Sequence, residues 1–279
     1  MTEAHWHKIT AQWEMAEENS YQLFELGAQG LNFIDQNTFE CFVNCDSPNL
    51  QAFLKNAEEL GIKITNQEAV PENNWMEKCQ EVWQPVQIEG LKIIPVLDSN
   101  QVEGNKEKGS IYIIPGEGFG TGHHDTTRFV TELIQEISSS NYSPKNALDV
   151  GCGSGILSLA ISDVFGCRVD AIDNDPIALK NADNNIRLNS AKGIHTSTTD
   201  IAELKGEYDL IAANIYAEVL IMMKSQFARL LAKPGYLILS GIMSHLSGQV
   251  LQNFSDPDWK LLKKLDSGNW VALLLTNKP

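Results

Sequence analysis

The stretch Leu148–Ile156, LDVGCGSGI, sets three glycines at alternate positions directly after a short apolar run. The run NALDV reads as a buried strand that ends at Val150. The apolar residues Ile156, Leu157, Leu159, Ala160 and Ile161 read as a helix packed on a sheet. Gly151, Gly153 and Gly155 then form the connection. Glycine permits backbone conformations that other residues avoid, and it removes side chains that would keep a ligand from the main chain. The helix N-terminus beside the turn offers free N–H groups. The pattern is GxGxG and not GxGxxG, so the glycines alone leave the cofactor open, a nicotinamide dinucleotide included.

Downstream, RVDAIDND reads as a second strand ending at Asp173. A carboxylate there is placed to accept both hydroxyls of a ribose. Asp175–Pro176 reads as the cap and first turn of the next helix. IHTSTT, YDLIAAN, YLILSG, WKLLKKL and NWVALLLT read as further strands, with helices in the first four gaps. DSGN separates the last two strands, which must pair antiparallel. The expected fold is α/β: a doubly wound, Rossmann-like sheet of seven strands with an antiparallel edge strand.

Upstream, residues 1–70 read as a small α+β unit. EENSYQLFELGAQGLNFID carries a helical stripe at Leu23, Phe24 and Leu26, ended by Gly27 and Gly30. FECFVNC is a strand, LQAFLKNAEELGI a second helix stopped by Gly61, and KITNQEAV another strand. The alternation points to a ferredoxin-like sandwich. Residues 71–112 read as a connector, with WMEKCQEVWQP as a short helix and LKIIPVL as a strand. The core domain is expected over 113–279. Just inside it, GEGFGTGHHDTT is a Gly-rich loop leading into the amphipathic helix TTRFVTELIQEI, placed to cover a ligand at the strand ends.

Composition bounds the function. With 43% hydrophobic and 20% charged residues, the chain suits a globular fold. Its 21 basic against 36 acidic residues, net −15, argue against general binding to nucleic acid or an anionic membrane; they allow a basic partner to be steered in, or simply keep the protein in solution. MTEAHWHKIT lacks a basic start followed by an apolar core, so a cytoplasmic protein is the expectation. The cysteines Cys41, Cys45, Cys79, Cys152 and Cys167 form no CxxC pair, and no metal site is expected. His5 and His7 read as a polar N-terminal patch.

LDVGCGSG, AIDNDPIALKNADNN and DLIAANI together resemble the motifs of class I methyltransferases that use S-adenosyl-L-methionine. The segment GFGTGHHDTT closely resembles the FGTGTHPTT loop of the PrmA family, the methyltransferases of ribosomal protein L-eleven. The order of motifs matches that family along essentially the whole chain. The resemblance implies S-adenosylmethionine as cofactor, contacts from Thr127, Gly151 and Asp173, and Asn214 at the methyl-transfer site. Gly153, Phe119 and Thr121 join the cofactor-binding set. Asp200, after the third strand, is placed to receive the adenine amino group or serves as a plain turn aspartate. The implied reaction is methylation of lysine and α-amino nitrogens of that ribosomal protein, with the N-terminal unit recognising the substrate; the acidic surface, separately, favours a monomer.

Asn214 ends a central strand. Its side-chain oxygen can accept an N–H from the target amine, or it can cap the helix YAEVLIMM. Three features depart from the family pattern: His123 and Asp125 in the loop, Cys79 and Gln80 in the connector helix, and Tyr216 after Asn214. They leave open an N-methyltransferase of another protein or a small amine. A non-catalytic cofactor-binding module is the alternative from another class.

Overall fold

The computed structural model describes residues 6–14, 22–23, 26–35, 37–44, 49–70, 85–96, 102, 107, 109–114, 124–255 and 257–277. The chain divides into two compact units, Met1–Val82 and Trp83–Pro279.

The first unit holds β1 (Trp6–Gln12), β2 (Ala28–Phe33), β3 (Thr38–Asn44), α1 (Asn49–Glu59) and β4 (Lys63–Val70). The strands form one antiparallel sheet in the order β2-β3-β1-β4. Alternate residues Ile9 and Ala11 on β1 and Phe39, Cys41 and Val43 on β3 face the core. There they meet Phe53 and Ala57, one turn apart on α1. On the outer face Lys8 Nζ lies 3.0 Å from both Glu40 and Glu68 on the neighbouring strands, and these bonds raise its pKa.

The segment around His7, read as a polar patch, forms strand β1, with His7 Nδ1 3.1 Å from Gln67 Nε2. One expectation changes here. Gly30 does not stop a helix; it lies within β2, and the turn is made at Gly27, whose φ is +106°. Val43 and Ala28 pair across β2 and β3, so the chain has already turned back to the sheet by that point.

The second unit begins well before residue 113. Strands β5 (Val86–Ile88), β6 (Leu91–Pro95) and β7 (Ser110–Ile113) form a three-stranded sheet. Ile88, Leu91, Ile93, Ile111 and Ile113 are buried in one core with α2 (Asp125–Ser139) and the main sheet. The connector expected over 71–112 therefore contributes apolar strands to this unit from residue 86 onward. Its expected helix, at 75–85, lies outside the described residues save for Pro85.

The main sheet follows: β8 (Asn146–Val150), α3 (Ile156–Phe165), β9 (Arg168–Ile172), α4 (Pro176–Leu188), β10 (Ile194–Ser197), β11 (Tyr208–Asn214), α5 (Ala217–Met222), α6 (Lys224–Leu230), β12 (Leu231–Met243), α7 (Ser247–Asn253), β13 (Lys260–Asp266) and β14 (Trp270–Thr276). The order is β10-β9-β8-β11-β12-β14-β13. Strands β8 to β12 pair parallel, and β14 pairs antiparallel with both of its neighbours. Side chains alternate between two cores. Leu210 and Ala212 pack with α2 and α3, while Ile211 and Ala213 pack with α5 and α6. Among the described residues no helix is long and apolar enough to cross a membrane.

The sheet corrects two expectations. The reversed strand is not at the edge: β14 lies between β12 and β13. Its run VALLL is buried on both faces, as an interior strand requires, whereas KLLKKL is largely exposed and its lysines suit an edge. The third gap, between β10 and β11, holds no helix. It is a turn at Asp200–Glu203, and the carbonyls of Ile201, Ala202 and the following Leu204 accept bonds from the Arg229 guanidinium.

The interior position of β14 is testable by denaturation. Leu273, fully buried there, should cost about 2–5 kcal/mol on Leu273→Ala. Leu262, 43% exposed on β13, should cost ~0.5 kcal/mol on the same change. Equal costs would contradict the strand order.

Candidate active site

The connection from β8 to α3 is built on three left-handed glycines, Gly151, Gly153 and Gly155, with φ of +71°, +51° and +78°. A Cβ on Gly151 would lie 2.5 Å from Ile215 Cγ2. One on Gly155 would lie 3.2 Å from Ala182 Cβ, where α3 packs on α4. The Gly151 and Cys152 N–H groups both donate to the Ile172 carbonyl, at 2.9 and 3.0 Å. This pins the turn to the end of β9.

Asp173 follows β9 and completes that hold. Its Oδ2 accepts from the Gly153 N–H at 2.9 Å and its Oδ1 from the Asp175 N–H at 3.0 Å. Asp175 caps α4, accepting from the Ile177 N–H at 2.8 Å, with Pro176 in the first turn. Asp173 is thus separate from the cap, as the spacing predicts. It is half-buried and uses each oxygen once, so lone pairs remain for a ligand.

Beneath the turn lies a carboxylate that the sequence reading passed over. Asp149, in β8, is fully buried. Its Oδ2 accepts from Ser158 Oγ at 2.6 Å, while its Oδ1 is buried with no hydrogen-bond partner. Burial pushes its pKa up to about 6. The Ser158 hydroxyl and backbone N–H oppose that rise, and the Asp173 charge adds to it. The available signal was a charged residue inside an otherwise apolar strand, LDV, which suits a buried strand only if it serves a ligand or a network. Burial and the neighbouring carboxylates also raise the Cys152 pKa, so this thiol is no nucleophile.

Asn214 closes β11, beside β8 on one side and β12 on the other. Its Oδ1 is buried and has no hydrogen-bond partner. It does not cap the next helix: α5 is capped at Tyr216, without a side-chain bond. Ile215 is wedged between two glycines. It faces Gly151, and its carbonyl stands 2.5 Å from where a Gly241 Cβ would be. Tyr216 is 52% exposed.

The N-terminus of α2 meets the same strand ends. Ser240 Oγ, opposite Asn214 in register, donates to the Thr126 carbonyl at 3.1 Å. Thr127 is fully buried, and its Oγ1 has no hydrogen-bond partner. His124 is the N-cap. Its Nδ1 accepts from the Thr126 N–H at 3.3 Å and lies 2.8 Å from Thr126 Oγ1, and its ring meets Trp270 edge-on at 4.8 Å. Burial holds the His124 pKa below its ordinary value, against the opposing Asp125 charge. Asp125 pairs with Arg128 at 3.0 Å, which occupies it structurally.

The parallel strands therefore carry Gly151, Gly153, Asp173 and Asn214 to one edge of the sheet, and Ser240 ties the turn bearing Thr127 to that edge. Asp200 follows β10 at the same edge. It is exposed, and its Oδ1 accepts from the Ala202 N–H at 2.7 Å in a tight turn. Phe119, Thr121 and His123 lie outside the described residues. Among the described residues no group of three or more His, Cys, Asp and Glu side chains could hold a metal.

Comparison with known proteins agrees with this geometry. The family model described as ribosomal protein L11 methyltransferase (PrmA) matches residues 5–278. A ribosomal protein L11 methyltransferase of Nitratiruptor is 36% identical over 220 residues, 78% of this chain and 74% of that protein. The Campylobacter concisus protein of the same name is 32% identical over 225 residues, 81% of this chain and 76% of that one. The crystal structure of a ribosomal protein L11 methylase from Lactobacillus delbrueckii subsp. bulgaricus superposes with a TM-score of 0.60 at 27% identity, covering 71% of this chain and 97% of that chain. A match over nearly the full length, on a sheet whose strand ends gather the motif residues, places the chain in the ribosomal protein L11 methyltransferase (PrmA) family.

Proposed function

We propose that this chain transfers methyl groups from S-adenosylmethionine to lysine ε-amino and α-amino nitrogens of ribosomal protein L11. The observation that carries the reading is the buried, unpartnered Asn214 Oδ1 at the end of β11, next to the left-handed glycine turn. The family name supports the substrate, and a net charge of −15 favours a lysine-bearing protein as partner.

The residues present fit the cofactor. Two carboxylates, Asp149 and Asp173, and the orphan acceptor Asp149 Oδ1 make an anionic setting for a cationic, donor-bearing molecule. Gly151, Gly153, Asp173 and Thr127 would hold it, with Asp200, Phe119 and Thr121 as further contacts. When bound, S-adenosylmethionine supplies a methyl group activated by its sulfonium. Asn214 acts on the other reactant. Its Oδ1 accepts an N–H of the target amine and aims the lone pair. A lysine amine has an ordinary pKa of about 10.4 and attacks only when neutral, and burial at the strand ends favours that form. No dedicated base is needed.

In this reading the first unit, with its strand order β2-β3-β1-β4, is a ferredoxin-like domain that recognises the substrate, and residues 113–279 carry the transfer. The enzyme works as a cytoplasmic monomer, without direct contact with nucleic acid or membrane.

Labelled methyl transfer to purified ribosomal protein L11, with intact mass read on the product, tests the proposal. Mass should rise in steps of one methyl. Asn214→Ala should leave S-adenosylhomocysteine affinity nearly intact and lower turnover about 100-fold or more. Equal loss of binding and turnover would remove the positioning role. No mass gain with intact binding would remove the substrate.

Asp149 sets a pH dependence. A cationic ligand prefers the ionised carboxylate, so affinity is fully present above about pH 6 and is lost as pH falls through that value. Calorimetric titration with S-adenosylmethionine, which carries the sulfonium charge, should show the decline across this range. Asp149→Asn should bind weakly with a flat profile, and an unchanged slope in that variant would assign the titration elsewhere.

A further inference from the structure

Two buried asparagines on one face of helix α4 reach across to a strand far away in sequence. Asn185 is fully buried and Asn189 is 3% exposed. Among the described residues strand β7 pairs with β6 along one edge only. Its other edge would leave main-chain groups without partners, and the two carboxamides take that place. Asn189 Oδ1 accepts from the Tyr112 N–H at 2.9 Å, and its Nδ2 donates to the Tyr112 carbonyl at 2.6 Å. Asn185 Oδ1 accepts from the Ile114 N–H at 2.8 Å, and its Nδ2 lies 3.4 Å from the Ile114 carbonyl. The spacing suits the task. Four helical residues advance about 6 Å and two strand residues about 6.6 Å, so the pair on α4 matches alternate residues of β7.

The two asparagines differ in one respect. Asn185 Nδ2 also donates, at 2.9 Å, to the carbonyl of Ser154, which sits between Gly153 and Gly155 inside the left-handed turn. Asn189, by contrast, bonds to Tyr112 and, at 2.8 Å, to the Asn185 carbonyl on its own helix. Both asparagines secure β7, and Asn185 also grips the turn. The Ser154 peptide is flanked by glycines, which resist rotation least of all residues. The Gly155 N–H of that peptide donates to the Cys152 carbonyl at 2.8 Å within the turn, and the Asn185 carboxamide holds its carbonyl from outside.

We propose that Asn185 is a positioning residue for cofactor binding: it clamps the Ser154 carbonyl of the glycine turn to the end of β7 and so fixes the turn. This rests on the reading of that turn as the S-adenosylmethionine seat. Asn185→Ala should raise the dissociation constant for S-adenosylhomocysteine about tenfold or more, in the range of one lost buried hydrogen bond. Asn189→Ala should lower the melting temperature comparably yet leave the constant within about twofold of the parent. Asn185→Asp supplies a rescue. Ionised, it repels the Ser154 carbonyl; protonated, its O–H can donate there while its other oxygen keeps the Ile114 N–H. Its affinity, divided by that of the parent at each pH, should rise as pH falls.

The binding assay is run on the full chain below the melting point of each variant, with Asp173→Ala alongside. Equal affinity losses in Asn185→Ala and Asn189→Ala, or none in either, would overturn the proposal and leave both as structural glue. Should Asn185→Ala not fold, the aspartate variant decides, and a pH-flat ratio overturns the idea. Loss of binding in Asp173→Ala with none in Asn185→Ala would defeat this inference alone. Parent-like binding in Asp173→Ala would defeat the assignment of the cofactor seat itself.

Discussion

The bond from the Gly153 N–H to the Asp173 carboxylate joins the ends of two parallel strands across a turn built on three left-handed glycines. Left-handed backbone costs an ordinary L-residue roughly 1–2 kcal/mol, and three such positions within five residues would strain any other composition. Glycine removes the strain but adds freedom, so the turn must be held from outside. Ile172 holds it with one carbonyl that takes two N–H groups, Asp173 with a carboxylate, and Asn185 with a carboxamide. The end of β9 thus fixes three N–H groups of the loop, and helix α4 fixes one carbonyl.

The same turn sets the position of Asn214. Gly151 leaves just the space that Ile215 fills, and Gly241 leaves the space for the Ile215 carbonyl. A side chain at either glycine would displace the residue following Asn214. Ile215 N–H donates to the Ser240 carbonyl at 3.2 Å, and Ser240 Oγ holds the Thr126 carbonyl. Through these contacts the N-terminus of α2, the end of β11 and the glycine turn form one packed seam. Strain at any point in it would reach the asparagine before it reached the strands.

Much of this was legible in the sequence, for local reasons. Strands β8, β9 and β11 are short apolar runs ending in polar or glycine residues, and Asp175–Pro176 is a cap with a fixed backbone preference. What escaped depended on pairing at a distance. Strand β1 carries Trp, His and Lys, and its strand character comes from neighbours β3 and β4. The weak strands β5 and β7 gain their burial from helix α2 and the main sheet, so the segment read as linker. The place of β14 inside the sheet followed from comparing the burial of VALLL with that of KLLKKL, a contrast present in the letters but not used. Asp149 was hidden by its apolar neighbours, and the Asn185 clamp spans 71 residues to Ile114, beyond any local pattern.

The unpaired atoms of this unit carry a last argument. Buried polar side chains here are mostly bonded: Ser158 to Asp149, Ser240 to Thr126, Asn185 and Asn189 to main chain. Among the described residues three buried side-chain oxygens are not: Asp149 Oδ1, Thr127 Oγ1 and Asn214 Oδ1. The other two such atoms, Asn181 Nδ2 and Trp259 Nε1, are nitrogen donors. Leaving a buried polar group unbonded costs roughly 1–3 kcal/mol. Three acceptor-capable oxygens left so, on elements that converge at one sheet edge, form a pattern that folding alone would select against. A ligand that brings N–H or O–H groups and positive charge would recover that cost on binding. Under the proposed function, a target amine would bring the N–H that Asn214 Oδ1 accepts. The cost of those three oxygens is one that ligands of this chemistry would relieve, which is the thermodynamic form specificity takes in a site made mostly of main chain.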